Sequence, residues 1–320
     1  MKKSIKKILA AAISSAMMFS LASCSSNTES SSESSSSASS SQASSETSSD
    51  DMIKIGIIQL MEHAALDSAR EDFIAALKDN GFVEGENVAF DIQNAQGDQS
   101  NLKTISQRFV QNESDLILAI ATQAAQSIAT ETSEIPILGT AITDYAEAGL
   151  VESNEAPNSN ISGTSDRTPV KEQIELLKQI MPDVKTVGIM YNSSEVNSEI
   201  QAKLAEEACT ELGITCEFGT VTNTNDVQQA VQSMVTKVDA LYIPTDNTFA
   251  SAMATVGAIS QESGVPAITG ETGMVSAGGL ATVGINYYDL GYQTGEMAVK
   301  VINGEDIATM PIEYTNNVDI

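Results

Sequence analysis

From Ile53 onward, short apolar runs alternate with amphipathic segments. This rhythm holds to the end of the 320-residue chain and narrows the fold more than any other feature. The runs Ile53 to Ile58, Val88 to Ile92, Asp115 to Ile120 and Ile135 to Leu138 are too continuous to keep a wet face, so each reads as a strand covered on both sides. Between the first two, Leu66, Ala69, Phe73, Ala76 and Leu77 recur at helical spacing until Asn80 and Gly81 stop the helix. Leu102, Ile105 and Phe109 repeat the pattern, and a third helix is expected from about Thr122 to Glu131. Buried strands separated by helices predict an α/β fold whose parallel sheets are flanked by helices.

After a loop from Asn154 to Asn160 the same pattern restarts. Strands are expected at Thr186 to Met190, Ile214 to Phe218, Ala240 to Ile243, Val265 to Ile268 and Leu280 to Ile285. Helices between them carry Ile174, Leu177 and Ile180, then Ile200, Leu204 and Ala208, then Val227, Val231 and Met234, and a last helix runs from about Asp289 to Asn303. The halves also match locally. Asp115 to Ile120 leads to the polar turn Thr122–Gln123 and on to Ile135–Pro136–Ile137, whereas Asp239 to Ile243 leads to Thr245–Asp246–Asn247 and on to Val265–Pro266–Ala267. Either a duplication or shared α/β grammar produces this likeness. Two lobes are expected, the first from 53–162 and 286–303, the second from 163–285 and 304–320.

The leader decides where these lobes reside. Lys2, Lys3, Lys6 and Lys7 precede an apolar run from Ile8 to Leu21, the layout of a signal peptide over residues 1–23 and too short for a confident membrane span. Leu21–Ala22–Ser23–Cys24 resembles a lipobox, which implies cleavage before Cys24 and lipidation of that cysteine, palmitate included. Residues 24–52 are mostly serine and cannot bury enough apolar surface to fold. As a flexible coil they span roughly 30 Å. The expected location is the extracytoplasmic face of the cell membrane, on a lipid anchor.

A formal charge of −27, more negative still once the leader lysines are gone, disfavours nucleic acid and anionic lipid as partners of the folded surface. Cys209, near the end of a helix, and Cys216, in the next strand, either form a disulfide in an oxidising compartment or remain free thiols. Enzyme signatures are missing: there is no G-x-S-x-G elbow, H-E-x-x-H, P-loop or G-x-G-x-x-G, and His63 is the only histidine. A carboxylate pair such as Asp144 and Asp246 is a weak basis for catalysis in so acidic a chain. No metal and no cofactor is expected.

In open parallel sheets ligands collect at the carboxyl ends of the strands. Those ends carry Gln59 with His63, Thr122 with Gln123, and Thr143 with Asp144 in the first lobe. In the second they carry Tyr191, Asn192 and Asn197, then Thr245, Asp246 and Asn247, then Glu271 and Thr272. Hydroxyls and helix amides suit a carboxylate, whereas Asp144, Asp246 and Glu271 suit an ammonium, and together they fit the backbone of an amino acid. Tyr145, Tyr191 and Phe249 are either stacking partners or core. Thr122 and Asp246 are equally suited to capping the helices they precede. His63 is either a structural hydrogen-bonding residue or a ligand contact.

Several of these segments together resemble one family. Gln59–Leu60–Met61–Glu62–His63 with Leu66–Asp67, Ala121–Thr122 with Ala124–Ala125–Gln126, Thr143–Asp144 before Gly149–Leu150–Val151, Tyr191–Asn192 with Glu195 and Asn197–Ser198, Pro244–Thr245–Asp246–Asn247, and Gly284–Ile285–Asn286–Tyr287–Tyr288 are similar to the tryptophan/tyrosine type of substrate-binding proteins of ABC importers. The likeness runs from about Ile53 to Ile302. It implies a two-lobed type I periplasmic-binding-protein fold that closes on a small ligand, an aromatic amino acid as cargo, and an ABC permease with its ATPase as partners, with a monomer as the default. Gln123 stands where the family often has proline, and a further stretch after Ile320 is expected to complete the second lobe. Asp166, after Gly163–Thr164–Ser165 at the expected crossover, is read as a hinge brace before a ligand contact. A surface adhesin or a protein presenting ligand to a sensor is the competing class, and the tether does not separate it from import.

Overall fold

Hydrogen bonding gathers the apolar runs into two parallel sheets. The computed structural model describes residues 52–315 and 318–319, so the signal peptide, Cys24 and the tether before Met52 lie outside the described residues. The first lobe runs β1 (Ile53–Gln59), α1 (Ala64–Asp79), β2 (Val88–Asn94), α2 (Gln99–Gln111), β3 (Leu116–Ile120), α3 (Thr122–Ala129), β4 (Ile137–Ile142) and β5 (Ile161–Ser165). The chain then builds α4 (Val170–Ile180), β6 (Thr186–Asn192), α5 (Val196–Glu211), β7 (Thr215–Val221), α6 (Val227–Met234), β8 (Ala240–Ile243), α7 (Asn247–Ser251), α8 (Met253–Ser263), β9 (Ala267–Thr269) and α9 (Thr272–Ser276). It ends with β10 (Gly284–Ile285), α10 (Tyr287–Ile302), β11 (Glu313–Tyr314) and β12 (Val318–Asp319).

The first sheet has the order β11-β5-β4-β3-β1-β2 and the second β7-β6-β8-β9. Every pairing within these two sheets is parallel, while β10 and β12 form a small antiparallel pair. Neighbouring strands in a parallel sheet need a crossover, and the helices supply it while covering both faces. Phe73, Phe109, Leu118 and Leu290 belong to one core around the first sheet; Ile174, Ile189 and Tyr242 fill one side of the second, and Val231, Leu241 and Phe249 the other. Among the described residues no helix is long and apolar enough to cross a membrane.

Two expectations change. Residues 163–165 and 304–314 were assigned to the second lobe, but β5 pairs with β4 and β11 with β5, both in the first sheet. The reason is burial: Ile161, Ile307, Met310 and Ile312 pack into the first core. β5 escapes a hydropathy reading because its Ser162, Thr164 and Ser165 are buried yet fully bonded: Ser162 donates to the Met310 carbonyl at 2.9 Å, Thr164 meets Thr294 at 2.7 Å, and Ser165 donates to the Thr143 carbonyl at 2.8 Å. Gly163 is required there, since at φ +148° a Cβ would lie 2.1 Å from the Gly139 carbonyl oxygen. The strand expected at Leu280 to Ile285 shrinks to Gly284–Ile285, with Leu280 exposed. Of the two states open to the cysteines, Cys209 and Cys216 take the free one, with Cys209 buried.

Candidate functional site

Because parallel strands share a direction, the loops at their carboxyl ends crowd together, and between the lobes they line a tight cavity whose free volume is about 10 Å³, room for about one water. His63, Leu66 and Ala141 come from the first lobe, Asp166 and Tyr287 from the two crossovers that flank it. Asn197, Thr245, Asp246, Asn247, Ala250, Glu271 and Met274 close it from the second lobe. Open surface grooves of about 450 and 580 Å³ are larger, but neither gathers a buried charged side chain among the described residues. The backbone is distorted where it meets the cavity: the β4–β5 register shifts between Gly139 and Ile142, and Ala141 adopts φ 56°. Strain at a non-glycine residue of this kind is characteristic of functional sites.

Direct hydrogen bonds hold the lobes together around this space. His63 Nε2 lies 3.1 Å from Asn247 Oδ1, Gln123 Nε2 donates to the Ser194 carbonyl at 2.9 Å, and Gln201 Nε2 donates to Thr143 Oγ1 at 3.1 Å. Gln201 also binds Thr245 on both its amide and its hydroxyl. It is thus a strut between Thr143, behind Asp166, and Thr245 in the cavity wall.

The acids define the electrostatics. Asp166 accepts from Thr143 Oγ1 at 3.1 Å and from Tyr287 Oη at 2.7 Å, yet burial still raises its pKa. Asp246 is pushed up to about 8 by burial and then by Glu195, against the pull of the Asn192 and Phe249 amides. Glu271 is pushed up to about 7 by burial, although it accepts the Gly273 and Met274 amides. Burial lowers His63 below its ordinary value despite its bond to Asn247. No Lys or Arg lines the cavity. A buried acidic group without a counter-ion is held protonated until a cation arrives.

Helix ends sharpen this picture. Asp246 caps α7 through the Phe249 amide, Glu195 takes the Asn247 and Thr248 amides, and Glu271 caps α9, so the starts of α7 and α9 are occupied by the lobe's own acids. On the first lobe α3 starts at Thr122 with Ala121 as an N-cap lacking any side-chain acceptor, and Thr122 Oγ1 is buried without a partner. The first amides of a helix have no intrahelical acceptor. Ala121 N donates to the Thr140 carbonyl at 3.0 Å, which seats this open end beside Ala141 in the cavity wall.

Of the residues anticipated for the site, Asn197, Asp246, Asn247 and Glu271 line the cavity, joined by His63, Thr245 and Asp166. Gln123 and Thr143 act between the lobes as described. Neither these two nor the other five anticipated residues line it, Thr122 among them at the start of α3. Gln59 is tied to Met61, Asp67 and Arg70 and anchors α1 to β1. Asp144 pairs with Arg167 at 3.0 Å and caps the turn at Glu147. Asn192 braces Thr248 and Glu195, and Tyr191 packs against the second core. Tyr145 and Phe249 are core, fully buried. Tyr287 was missed as a wall although it follows a strand end, and Gln201 although it lies one helical turn after Asn197. Leu66, Ala141, Ala250 and Met274 are apolar and carry no chemical signal in sequence.

The model of the ABC transporter substrate binding protein family matches residues 54–320. A tyrosine-binding protein of Clostridioides difficile is 42% identical over 266 residues, 83% of this chain and 77% of that protein. Among solved structures, the ABC domain of Streptococcus pneumoniae in complex with L-Trp is 38% identical with a TM-score of 0.81, covering 83% of this chain and 90% of that one. A ligand-free, open substrate binding protein with adhesive properties from Clostridium difficile is 47% identical with a TM-score of 0.65, covering 84% and 91%. The chain is therefore nearer in sequence to the open structure and nearer in shape to the L-Trp complex.

Proposed function

Because the chain belongs to the family of ABC transporter substrate binding proteins, we propose that it captures an aromatic amino acid between its lobes and presents it, closed, to an ABC permease. The observation that carries the ligand class is the cavity walled by Asp166, Asp246 and Glu271, with no Lys or Arg among the described residues that line it. Such a site calls for a ligand that brings its own ammonium. The ligand carboxylate is assigned to the open start of α3 at Thr122, next to Gln123, because anions favour uncapped helix N-termini. The aromatic group rests on Leu66, Ala250 and Met274. Relatives described as binding tyrosine and L-Trp support the aromatic cargo. The role is binding, not catalysis.

Closure is the mechanism: ligand contacts made only when the lobes meet stabilise the closed form. The shape similarity to the L-Trp complex supports reading this enclosed arrangement as that form. Thermal shift of the purified protein against the common amino acids is the test, since a ligand bound only by the native state raises apparent stability. Stabilisation by tyrosine, tryptophan or phenylalanine above all others is expected; a response confined to sugars or to none of the amino acids refutes the proposal.

Cys24 is assigned the membrane anchor and residues 1–23 the signal peptide, on the strength of the Leu21–Ala22–Ser23–Cys24 motif and the serine tether. Metabolic labelling with a palmitate analogue should mark the wild type and not Cys24→Ala, which should be shed into the medium. The folded body is assigned as a monomer, which sedimentation checks. A second role in adhesion is supported by the described adhesive properties of the 47% identical relative, and binding of ligand-free protein to host matrix tests it.

A further inference from the structure

The orphaned polar atoms of the cavity all have one character. His63 Nδ1 and Asn197 Oδ1 are buried in the described residues without a hydrogen-bond partner, and both residues line the cavity. Neighbours fix what these atoms are. Asn247 Nδ2 donates to Glu195 Oε2 at 2.6 Å, and Glu195 accepts from donors on Asn192, Asn247 and Thr248, so the Asn247 amide has one orientation and its Oδ1 faces His63 Nε2. His63 Nε2 must therefore carry the proton that it donates to Asn247. Burial keeps the ring from taking a second proton. Nδ1 is left as an unpaired acceptor on a residue of the cavity wall. In the same way Asn197 Nδ2 donates to the Thr245 carbonyl at 3.2 Å, which leaves Oδ1 as the open acceptor.

The charges acting on His63 are Glu195 and Asp67, and Glu195 acts on Asp246 as well. Beside it Leu66 lies one turn along α1, and Ala250 one turn along α7 from its partner Asn247. An unpaired acceptor with these apolar neighbours matches an aromatic ring that carries one polar hydrogen.

Resting on the aromatic amino acid reading above, we propose that His63 is the specificity-determining residue of the site, its Nδ1 accepting from the phenolic hydroxyl of tyrosine or the indole N–H of tryptophan, so that phenylalanine is rejected. Phenylalanine would fill the same space but leave Nδ1 desolvated and unpaired, and sites built to pair a ligand hydrogen discriminate strongly against analogues that lack it.

The test is calorimetric titration of tyrosine, tryptophan and phenylalanine into wild type, His63→Gln and His63→Asn. Gln keeps a donor near the Nε2 position to hold Asn247 but has no acceptor at the Nδ1 position; Asn retains the acceptor and loses the reach to Asn247. Wild type should prefer tyrosine or tryptophan over phenylalanine by about tenfold or more. In His63→Gln that preference should collapse with phenylalanine affinity held, while His63→Asn should weaken all three alike and keep the ratio. Equal affinity of wild type for the three ligands overturns this inference and leaves the aromatic cargo standing. Failure of all three to bind overturns both. Equal weakening of all three in His63→Gln assigns Nδ1 to the ammonium and also overturns the inference. Should a variant fail to fold, the wild-type ratio alone decides it.

Discussion

Lowering the pH from 8 to 6 should strip the protein of most of its affinity for an amino acid, and the size of the loss follows from two buried acids. A ligand ammonium pairs with ionised carboxylates, so any proton on them must leave first. Glu271, at about 7, is almost fully ionised at pH 8 and about nine-tenths protonated at pH 6, a penalty of about tenfold. Asp246, raised by burial and then by Glu195, adds to that loss in the same direction, so the total should exceed the tenfold set by Glu271. Calorimetry at pH 6, 7 and 8 in buffers of different ionisation heat reads the affinity and counts the protons released, up to one per group. Stability of the empty protein should move the opposite way. Both acids titrate higher when folded than when unfolded, so their penalty is absent below the ordinary carboxylate range and grows as pH rises toward 8. Melting temperature should therefore fall over that window without ligand, and the ligand-induced shift should widen. A flat affinity with no proton release would refute the assignment of these carboxyls to the ammonium.

Asp246→Ala should weaken amino acid binding by at least about 2 kcal/mol and lower stability by about 1 kcal/mol through the lost α7 cap, read by calorimetry and urea unfolding. Unchanged affinity would remove Asp246 from the site. Gly163→Ala should destabilise the fold by about 3 kcal/mol or more, because the new Cβ meets the Gly139 carbonyl and the backbone is at φ +148°, and a urea midpoint within error of wild type would contradict it. Gln123→Ala should speed ligand release several-fold with little change in association rate, since its bond to Ser194 exists only across closed lobes; stopped-flow measurement of both rates checks this. The des-amino analogue of the best ligand, which keeps ring and carboxylate, should neither bind measurably nor raise the melting temperature.

Much of this was legible before any coordinates. The sheets were, because Ile55, Ile57 and Ile58 or Leu116 to Ile120 have no other way to satisfy both apolar burial and backbone pairing. β5 was not, because its Ser162, Thr164 and Ser165 are satisfied by partners more than twenty residues away or at the far end of the chain, and hydropathy does not record distant partners. In the site, the rule that ligands gather at strand ends found Asp246, Asn247 and Glu271. It also drew in Gln59 and Asp144, which occupy the right ends but turn back to Arg70 and Arg167. A sequence says which residues reach a strand end and not which way their side chains turn. At α7 and α9 the helix amides are taken by Asp246, Glu195 and Glu271 from the same lobe, which sequence does not reveal. Asp246 performs the capping and the wall-forming roles together, an outcome outside the alternatives that sequence posed.

That double duty bears on how closure is controlled. Asp246 and Glu271 are fixed to the second lobe by the amides they cap, and closing the lobes over them removes their solvent. Where an open arrangement leaves these acids wet, shutting an empty cavity costs free energy, because both must give up hydration or take a proton. A ligand ammonium reverses the balance, since it supplies the charge that the closed site lacks, and about 5.5 kcal/mol is enough to turn a population from one part in a hundred closed to one part in a hundred open. On the site assignment proposed above, the carboxyls do more than hold cargo: their unpaired burial favours open lobes until a cation arrives, so that a permease reading the closed shape meets mostly loaded protein. The hydrogen bonds across the mouth, His63 to Asn247 and Gln123 to Ser194, are neutral contacts worth about 1 kcal/mol each, too little to close the empty lobes against that penalty but enough to slow release once the ammonium has lifted it.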